Sequence, residues 1–507
     1  MACDLRNKTS TVLCIGAGPA GLTAAYVLSK HGVSVTVLER NPVNVGGISR
    51  TESHNGFRFD IGGHRFFSKS HEVEALWTEL LGPDLLEVKR KSRIYYRGKL
   101  FDYPIRAFDA LFKLGFLEAA ACILSYGRAR LRPVQPRNFE DWVVNHFGQR
   151  LFNMFFKAYT EKVWGLKCTE ISADWAAQRI KGLSLSRALW HAINPIKKDK
   201  SHIKTLIDSF RYPRLGPGMM WEAASTKIRA LGGAVHLGLD ATRMTLDPAT
   251  RRWTVVALDG DGRAHSFTAS HIISTTSIPE LVSALEPAPS PIMRKAAQSL
   301  RYRDFLVVAL IIKDLNAFDD NWLYIHDPGV KVGRIQNIKS WSREMLPDQS
   351  LNSYCLEYFC FEGDNLWNLA DEELITLACR EIIQLRLVHR DDILDGYVIR
   401  QPKAYPIYDD TYQERVAIIR AQIKQHFPNL HLVGRNGMHK YNNQDHSMMT
   451  AILTARNILA GHDAYDVWRV NQDAEYHEAD EPNDQSLNKL LTPTLTSSYP
   501  IVTSLKL

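Results

Sequence analysis

The stretch TVLCIGAGPAGLTAAYVLSKHGVSVTVLERN (residues 11–41) decides the fold. Its apolar run Val12–Ile15 predicts a buried strand, and Val33–Leu38 predicts a second one. Between them, a helix is expected to begin near Gly21 and to end at the stop signal Gly32. Strand, glycine-rich turn, helix and strand in this order form a βαβ unit, so the sequence predicts an α/β protein with a parallel sheet.

Three glycines in this turn carry the first chemical signal. Gly16, Gly18 and Gly21 form the pattern G-x-G-x-x-G, and Glu39 ends the next strand about 20 residues further on. The second glycine lets a pyrophosphate approach the free N–H groups of the helix N-terminus, and the carboxylate accepts hydrogen bonds from ribose hydroxyls. A glycine turn without a ligand is the alternative, and the complete βαβ context favours a dinucleotide site.

The composition is that of a soluble globular protein of several domains. The chain has 507 residues, 45% hydrophobic and 23% charged, and its net charge of +7 is too mild for a nucleic-acid-binding surface. Its seven cysteines form no C-x-x-C pair and no zinc-ligand pattern, which indicates free thiols in a reducing compartment and no metal. The first residues lack an apolar signal segment, and the most apolar stretch, Ala110–Tyr126, is too short and too charged to span a bilayer. We expect a cytoplasmic protein.

Three further motifs distinguish FAD from NAD. The segment NPVNVGGISRT (residues 41–51) resembles the second signature of FAD enzymes of the amine oxidase and protoporphyrinogen oxidase superfamily. The resemblance implies that Gly46 and Gly47 pass close to the flavin and the diphosphate. HIISTTSIP (His271–Pro279) and LHLVGR (Leu430–Arg435) are similar to the strands of that superfamily that return to the FAD domain. The expected cofactor is therefore FAD.

A second glycine pair precedes a histidine in the segment DIGGHRFFS (residues 60–68). Glycines at this density let a backbone come close to a flat ligand. In this interpretation Gly62 and Gly63 lie beside the isoalloxazine ring and His64 stands over its reactive edge. The alternative is a core histidine on a tight turn.

The same segment, with other motifs between residue 11 and about residue 460, resembles the UDP-galactopyranose mutases, most closely the eukaryotic type. FDYP (Phe101–Pro104) is similar to their Tyr-Pro substrate segment, and the helical segment 139–165 ends in a similar Lys-Val-Trp. The resemblance places Arg179, in ADWAAQRI, and Arg334, in VGRIQNIKSWS, at the positions of two substrate arginines.

The C-terminal motif GRNGMHKYNNQDHSM (residues 434–448) carries the longest match to these mutases. It implies that Gly434 and Arg435 lie near the flavin, that Tyr441 contacts substrate phosphate, and that Asn443 contacts substrate or flavin. KAYPIYD places Tyr405 at a tyrosine that contacts the diphosphate.

These residue types suit a sugar diphosphate. Guanidinium forks match phosphate oxygens, and tyrosine hydroxyls add neutral donors. The alternatives are that Arg179 and Arg334 form structural salt bridges and that Tyr405 and Trp164 belong to the core.

Three positions depart from the mutase pattern. Ile105 and Arg106 stand where the mutases hold uracil with an aromatic residue and an amide, and Thr160 replaces an asparagine. A site that loses its hydrogen-bonding groups for a base selects its substrate differently. We therefore expect another nucleotide sugar, a lipid-linked phospho-sugar, or a different flavin reaction.

The motifs divide the chain into a discontinuous Rossmann-like FAD-binding domain, an inserted helical domain and an antiparallel substrate sheet. The expected FAD-binding segments are residues 1–75, 201–290 and 401–465; residues 76–200 form the helical substrate or cap domain, residues 291–400 the antiparallel sheet, and residues 466–507 a tail.

The favoured function is a mutase-like reaction of reduced flavin on a phosphorylated sugar, without net redox. The alternatives are an FAD-dependent oxidase or desaturase of the protoporphyrinogen oxidase type and a protein that holds FAD only as a structural ligand. The partners expected are a small-molecule substrate and no nucleic acid, with NAD(P)H as one candidate reductant. The basic run GRARLRP (residues 127–133) is compatible with contact to a membrane surface or with a solvated turn.

Overall fold

The computed structural model describes residues 8–103, 112–171, 173, 208–314 and 317–471. Across these residues the strands are β1 Lys8–Ile15, β2 Val35–Glu39, β3 Thr51–His54, β4 Phe57–Asp60, β5 Leu85–Lys89, β6 Ser92–Tyr96, β7 Lys99–Asp102, β8 Ser209–Pro213, β9 Ala234–Leu237, β10 Asp240–Leu246, β11 Trp253–Leu258, β12 Ala264–Ser274, β13 Leu285–Glu286, β14 Tyr302–Lys313, β15 Trp322–Ile325, β16 Arg334–Asn337, β17 Leu351–Cys360, β18 Ile393–Pro406 and β19 Leu430–Leu432.

The helices begin at the signals that the sequence provides. They are α1 Pro19–Lys30, α2 His71–Leu81, α3 Phe116–Leu131, α4 Phe139–Phe147, α5 Gln149–Phe152, α6 Ala158–Trp164, α7 Gly218–Ala230, α8 Ile278–Ala284, α9 Pro291–Gln298, α10 Asp371–Gln384, α11 Tyr412–His426 and α12 Gln444–Ala460. Proline stands at the first position of α1, where its missing N–H costs nothing. The Asn138 side chain caps α4 by accepting a hydrogen bond from the Asp141 backbone N–H at 2.9 Å.

The first sheet contains the predicted βαβ unit. Its order is β13-β10-β11-β12-β1-β2-β9, and β19 pairs with the carboxyl end of β12. Strands β12, β1, β2, β9 and β19 run parallel, whereas β10 and β11 form an antiparallel extension. Helices α1, α7 and α12 cover one face, and α8, α9 and α11 cover the other. The predicted α/β fold class, with an antiparallel sheet beside it, is confirmed.

The second sheet is predominantly antiparallel and has the order β18-β14-β17-β16-β15-β6-β7. Strand β14, which pairs with β18 and β17, is buried from Tyr302 to Ile312 because α10 packs on one face and the β3–β4 hairpin lies against the other. Strands β6 and β7 pair into this sheet although they lie within the predicted helical segment 76–200. The segment therefore holds the end of α2 and strands β5 to β7 ahead of helices α3 to α6, and the division into domains stays a prediction.

Helices α3 to α6 form a layer against the β6–β7 hairpin. A π-helical turn, Asn153–Lys157, joins α5 to α6. Phe139, Phe152 and Phe155 are buried against Phe101 of β7. This packing fixes the helical layer to the edge of the second sheet.

Candidate active site

The three glycines of the turn between β1 and α1 serve different purposes. Gly16 has a φ of +96°, and a Cβ there would stand 2.1 Å from the Thr275 hydroxyl oxygen. A Cβ on Gly21 would stand 1.9 Å from the Gly16 carbonyl oxygen. Gly18 differs, because the nearest protein atom to a Cβ would be 3.9 Å away, at Gly47. Packing therefore requires glycine at the first and third positions, whereas the second faces space that a ligand can fill.

Glu39 lies at the mouth of this turn, at the carboxyl end of β2. Its carboxylate accepts hydrogen bonds from the backbone N–H groups of Ala17, at 2.7 Å, and Asn41, at 2.8 Å. Each carboxylate oxygen retains acceptor capacity after one such bond. The backbone thus fixes Glu39 in an orientation that still allows it to accept hydrogen bonds from a ligand.

A cavity of about 430 Å³ begins beside Glu39 and the glycine turn and reaches His64 and Arg435. Its wall contains two buried polar atoms that have no hydrogen-bond partner among the described residues, the Gln444 Oε1 and the Asn436 Oδ1. Buried polar atoms are nearly always paired in proteins, so these two oxygens indicate a ligand with donors. The open space at Gly18, the fixed carboxylate of Glu39 and these acceptors together suit a dinucleotide.

A second cavity, of about 150 Å³, adjoins the first. Both cavities share the side chains of Ile48, His64, Arg435 and Gln444. The second cavity brings together most of the substrate residues expected from the sequence: Gly62, Gly63, His64, Arg334, Tyr405, Tyr441 and Asn443. Of the other expected positions, Arg179, Ile105 and Arg106 lie outside the described residues, and the buried Thr160 lines neither cavity.

His64 is held as a neutral ring between the two cavities. Its Nε2 donates to the Ile61 carbonyl oxygen at 2.9 Å, which leaves Nδ1 to accept from the Ser49 hydroxyl at 3.3 Å. Burial, together with the positive charge of Arg435, lowers the pKa of His64 to about 4. At neutral pH this ring can orient a ligand, and its proton is already committed to a carbonyl.

Arg334, on β16, has a counter-ion that the sequence did not indicate. Its Nε donates to the fully buried Glu357 carboxylate of β17, which also accepts from the Gln336 amide at 2.7 Å. Burial opposes the charge of Arg334, but Glu357 outweighs that effect and holds the pKa of Arg334 well above its usual range. Arg334 therefore does form a salt bridge between strands, which the sequence left open as the alternative to a substrate contact. Its Nη2 also lies 3.4 Å from the Tyr405 hydroxyl.

Arg435 carries a charge that no carboxylate of the described residues neutralises. Its Nε donates to the Asn442 carbonyl at 2.9 Å and its Nη1 to the Ala404 carbonyl at 3.0 Å. The guanidinium carbon lies 5.4 Å from the ring centre of Tyr405 and 5.2 Å from that of Tyr441. These two rings are stacked with centroids 5.6 Å apart. A cation held by neutral groups beside two cavities favours an anionic ligand.

A sequence profile of the flavin-containing amine oxidoreductases matches residues 19–459. The chain belongs to this family. It is an FAD-dependent enzyme, and the expected relationship to the amine oxidase and protoporphyrinogen oxidase superfamily is confirmed.

The relatives of this chain include a mutase and a desaturase. A protein from Klebsiella pneumoniae named "Probable UDP-galactopyranose mutase" is 25% identical over 179 residues, which are 34% of this chain and 44% of that protein. A phytoene desaturase of Fusarium fujikuroi is 25% identical over 318 residues, 56% of this chain and 54% of that protein. The chain thus aligns with about half the length of each relative.

The solved structure of a reduced UDP-galactopyranose mutase has the same fold. It superposes with a TM-score of 0.77 at 21% identity and covers 91% of this chain and 98% of the mutase chain. At 21% identity, this similarity shows that the two proteins share a fold.

Several residues that line the two cavities were not identified from the sequence. Ser49 and Gln444 adjoin the quoted Gly-Gly and Asn443 motifs, so their positions carried a signal. Lys403, which lines the larger cavity and pairs with Glu280 at 2.9 Å, immediately precedes Ala404 and Tyr405. Glu357 had no such signal, because only the pairing of β16 with β17 brings it to Arg334.

Proposed function

We propose that this protein is a mutase-like flavoenzyme that acts on a phosphorylated sugar. The observation that carries the proposal is the composition of the second cavity, where Arg334, Arg435, Tyr405 and Tyr441 converge beside His64. Two guanidinium groups and two tyrosine hydroxyls are donors that suit phosphate oxygens, whereas a hydrocarbon substrate would require an apolar lining.

FAD occupies the larger cavity in this proposal. Gly16, Gly18 and Gly21 hold the diphosphate at the N-terminus of α1, and Glu39 accepts hydrogen bonds from a ribose. The other residues assigned to the cofactor are Gly46, Gly47, Gly62, Gly63, His64, Gly434 and Arg435. Bound FAD would supply electrons and, in its reduced form, a nucleophile.

The side chains of the second cavity bind and orient the substrate. The Arg334 guanidinium donates to the Tyr405 oxygen, so the Tyr405 hydroxyl proton is free to point towards a phosphate oxygen. Burial raises the pKa of Tyr405 to about 12, which keeps this hydroxyl a donor at neutral pH. Arg435, whose guanidinium carbon lies 5.4 Å from the Tyr405 ring centre, contributes a positive charge, and Asn443 contributes an amide.

His64 serves as a neutral positioning group in this mechanism. Its Nε2–H is bound to the Ile61 carbonyl, and its Nδ1 accepts the Ser49 proton. The ring therefore packs against whatever lies at the junction of the cavities without adding charge there. Arg179 is kept as a second phosphate-binding cation on the basis of the sequence motif alone.

The group beyond the phosphates is a nucleoside other than uridine or a lipid. This part of the proposal rests on Ile105, Arg106 and Thr160, which differ from the pattern of the UDP-galactopyranose mutases. The reducing equivalents come from a donor such as NAD(P)H, because a reaction without net redox still requires reduced flavin.

An FAD-dependent desaturase or oxidase is the second candidate. Its support is the alignment with phytoene desaturase, which spans 318 residues against 179 for the mutase relative. In this alternative the same cavity accepts a substrate that loses hydride.

A spectroscopic titration tests the proposed substrate class. Because the two cavities share His64 and Arg435, a ligand in the second cavity should perturb the visible absorbance of bound flavin. We expect saturable perturbation by inorganic pyrophosphate and by sugar nucleotides, and none by a polyene in detergent. Perturbation by the polyene alone would reject the phosphorylated sugar and favour the desaturase.

A further inference from the structure

The outward face of helix α3 is apolar and exposed. Leu117, Leu124 and Leu131 recur every seven residues and therefore lie along one stripe of the helix. Their exposed fractions are 84%, 75% and 84%, and Phe116 beside them is 87% exposed. Phe112, just before the helix, is 90% exposed. Large apolar side chains so exposed in one group mark a surface that contacts something else.

The inward face of the same helix is firmly packed. Cys122 is fully buried among the helical layer. A Cβ on Gly148 would stand 2.6 Å from the Tyr126 backbone nitrogen, so α3 and the start of α5 are in close contact. Glu118 pairs with Arg150 of α5 at 2.5 Å. The helix is thus fixed to the protein, and its outward stripe is held away from the core.

Positive charge lies at the C-terminal end of this stripe. Arg128, Arg130 and Arg132 are exposed at the C-terminal end of α3, and none of them pairs with a carboxylate of the described residues. Glu118 is the one acidic residue between positions 112 and 137, and its charge is matched by Arg150. An apolar stripe flanked by arginines is the pattern of helices that lie in a membrane interface.

We infer that helix α3 docks the protein on an anionic membrane surface. Its leucines and phenylalanines enter the boundary between headgroups and acyl chains, and the three arginines contact anionic headgroups. None of the helices in the described ranges is long and apolar enough to cross a membrane. The three exposed arginines at one end of the stripe complement anionic headgroups, and a second copy of the chain is the other occupant that the test distinguishes.

Vesicle sedimentation of the full-length holoprotein tests this inference. We expect binding to vesicles of phosphatidylcholine and phosphatidylserine, and much weaker binding to phosphatidylcholine alone. Leu117→Glu/Leu124→Glu should abolish it, and Arg128→Gln/Arg130→Gln should weaken it roughly tenfold or more. Leu124→Phe should retain it, because the side chain remains apolar.

Helix α9 offers matched control positions. Ile292 is 58% exposed and Arg294 is exposed on the same helix. Ile292→Glu and Arg294→Gln should bind vesicles like the wild type, and all variants should keep the far-ultraviolet circular dichroism and flavin content of the native protein.

Three results would overturn the inference. The first is a wild-type protein that does not sediment with phosphatidylserine vesicles at physiological salt. The second is an equal loss of binding in Ile292→Glu. The third is a concentration-dependent dimer that Leu117→Glu/Leu124→Glu dissociates while vesicle binding is absent, which would assign this face to a second copy of the chain.

Discussion

Gly18 lies where the backbone leaves room for a ligand. No atom of the described residues stands closer than 3.9 Å to a Cβ at this position, so a larger side chain would be tolerated by the fold and would occupy the cavity. Gly16 and Gly21 lack this property, since their substitution would disturb packing itself. A substitution at Gly18 is therefore expected to impair cofactor binding without impairing folding.

We predict that Gly18→Val yields a folded protein that has lost most of its FAD. The valine methyl groups would fill the approach of the diphosphate to α1. The ratio of flavin to protein absorbance after purification measures the effect. Gly260→Val is the control, because a Cβ there meets no atom within 4 Å and Gly260 lines neither cavity. A Gly18→Val protein with full flavin would contradict the assigned dinucleotide site.

Arg334 must be tested together with its counter-ion. Replacing the arginine alone would leave the Glu357 carboxylate buried without its counter-ion, at a cost of about 3–5 kcal/mol in folding. The double variant Arg334→Met/Glu357→Gln removes both charges at similar volume. We expect normal flavin content and a loss of ~2–4 kcal/mol in the binding of inorganic pyrophosphate, measured by calorimetry.

The Arg93–Asp320 pair is a matched control for this experiment. It joins β6 to a fully buried carboxylate at 2.6 Å and lines neither cavity. Arg93→Met/Asp320→Asn should bind pyrophosphate normally. Equal weakening in the two double variants would show that Arg334 acts through the stability of the second sheet.

Single residues were predictable where they belong to a local motif. The glycines, Glu39 and His64 could be located because the chemistry of their motifs is contained within a few positions. The side chains that contact the site residues could not be located in the same way. Ser49 contacts His64, and Glu357 contacts Arg334, only through tertiary structure. Burial lowers the pKa of His64 and keeps the ring neutral, and Arg435, which is 371 positions away in the chain, adds to this effect.

At the scale of elements, a buried hydrogen bond joins β4 to β8 beneath the Gly62–Gly63 segment. The Tyr212 hydroxyl donates to the fully buried Asp60 carboxyl. Burial raises the pKa of Asp60 to about 8, and the nearby Glu357 adds to this effect. The native state therefore holds a proton on Asp60 at pH values where the unfolded chain has released it.

The raised pKa of Asp60 predicts how the stability of the native state changes with pH. Between about pH 4 and pH 8 the native state binds more protons than the unfolded state, so Asp60 contributes stability that falls as the pH rises, by up to about 1.4 kcal/mol per pH unit. Asp60→Asn cannot ionise, and its stability relative to the wild type should increase from pH 5 towards pH 8. Urea unfolding at several pH values measures the difference.

Asp463→Asn, at an exposed position, is the control for this series and should follow the wild type at every pH. An Asp60→Asn protein whose stability relative to the wild type does not change with pH would show that Asp60 is ionised in the native state.

Elements with strong periodicity and clear end signals were predicted within a few residues. Helix α1 begins at Pro19, two residues before the expected Gly21, because proline suits the first turn. Strand β1 begins at Lys8 because its first residues pair with the long strand β12, which apolar content alone does not reveal. Strands β6 and β7 were not foreseen, since β6 pairs with β15 about 230 positions away.

At the scale of the whole molecule, the two sheets meet at the junction of the two cavities. The first sheet supplies the glycine turn and Glu39, and the second supplies Arg334 and Tyr405. His64 and Arg435 lie where these contributions meet. This arrangement suits an enzyme in which the first sheet holds FAD and the second sheet selects the substrate.

The most direct test is the conversion of phosphorylated sugars by the reduced holoprotein under argon. The protein is reduced with dithionite and incubated with uridine, guanosine and adenosine diphosphate sugars and with a lipid-linked phospho-sugar, and the sugar ring form is followed by chromatography. We predict a change of ring form in at least one phosphorylated sugar, poor conversion of UDP-galactofuranose, and flavin that ends as reduced as it began. The proposal is contradicted if every phosphorylated sugar is unchanged while the oxidised protein is bleached by a porphyrinogen or a polyene.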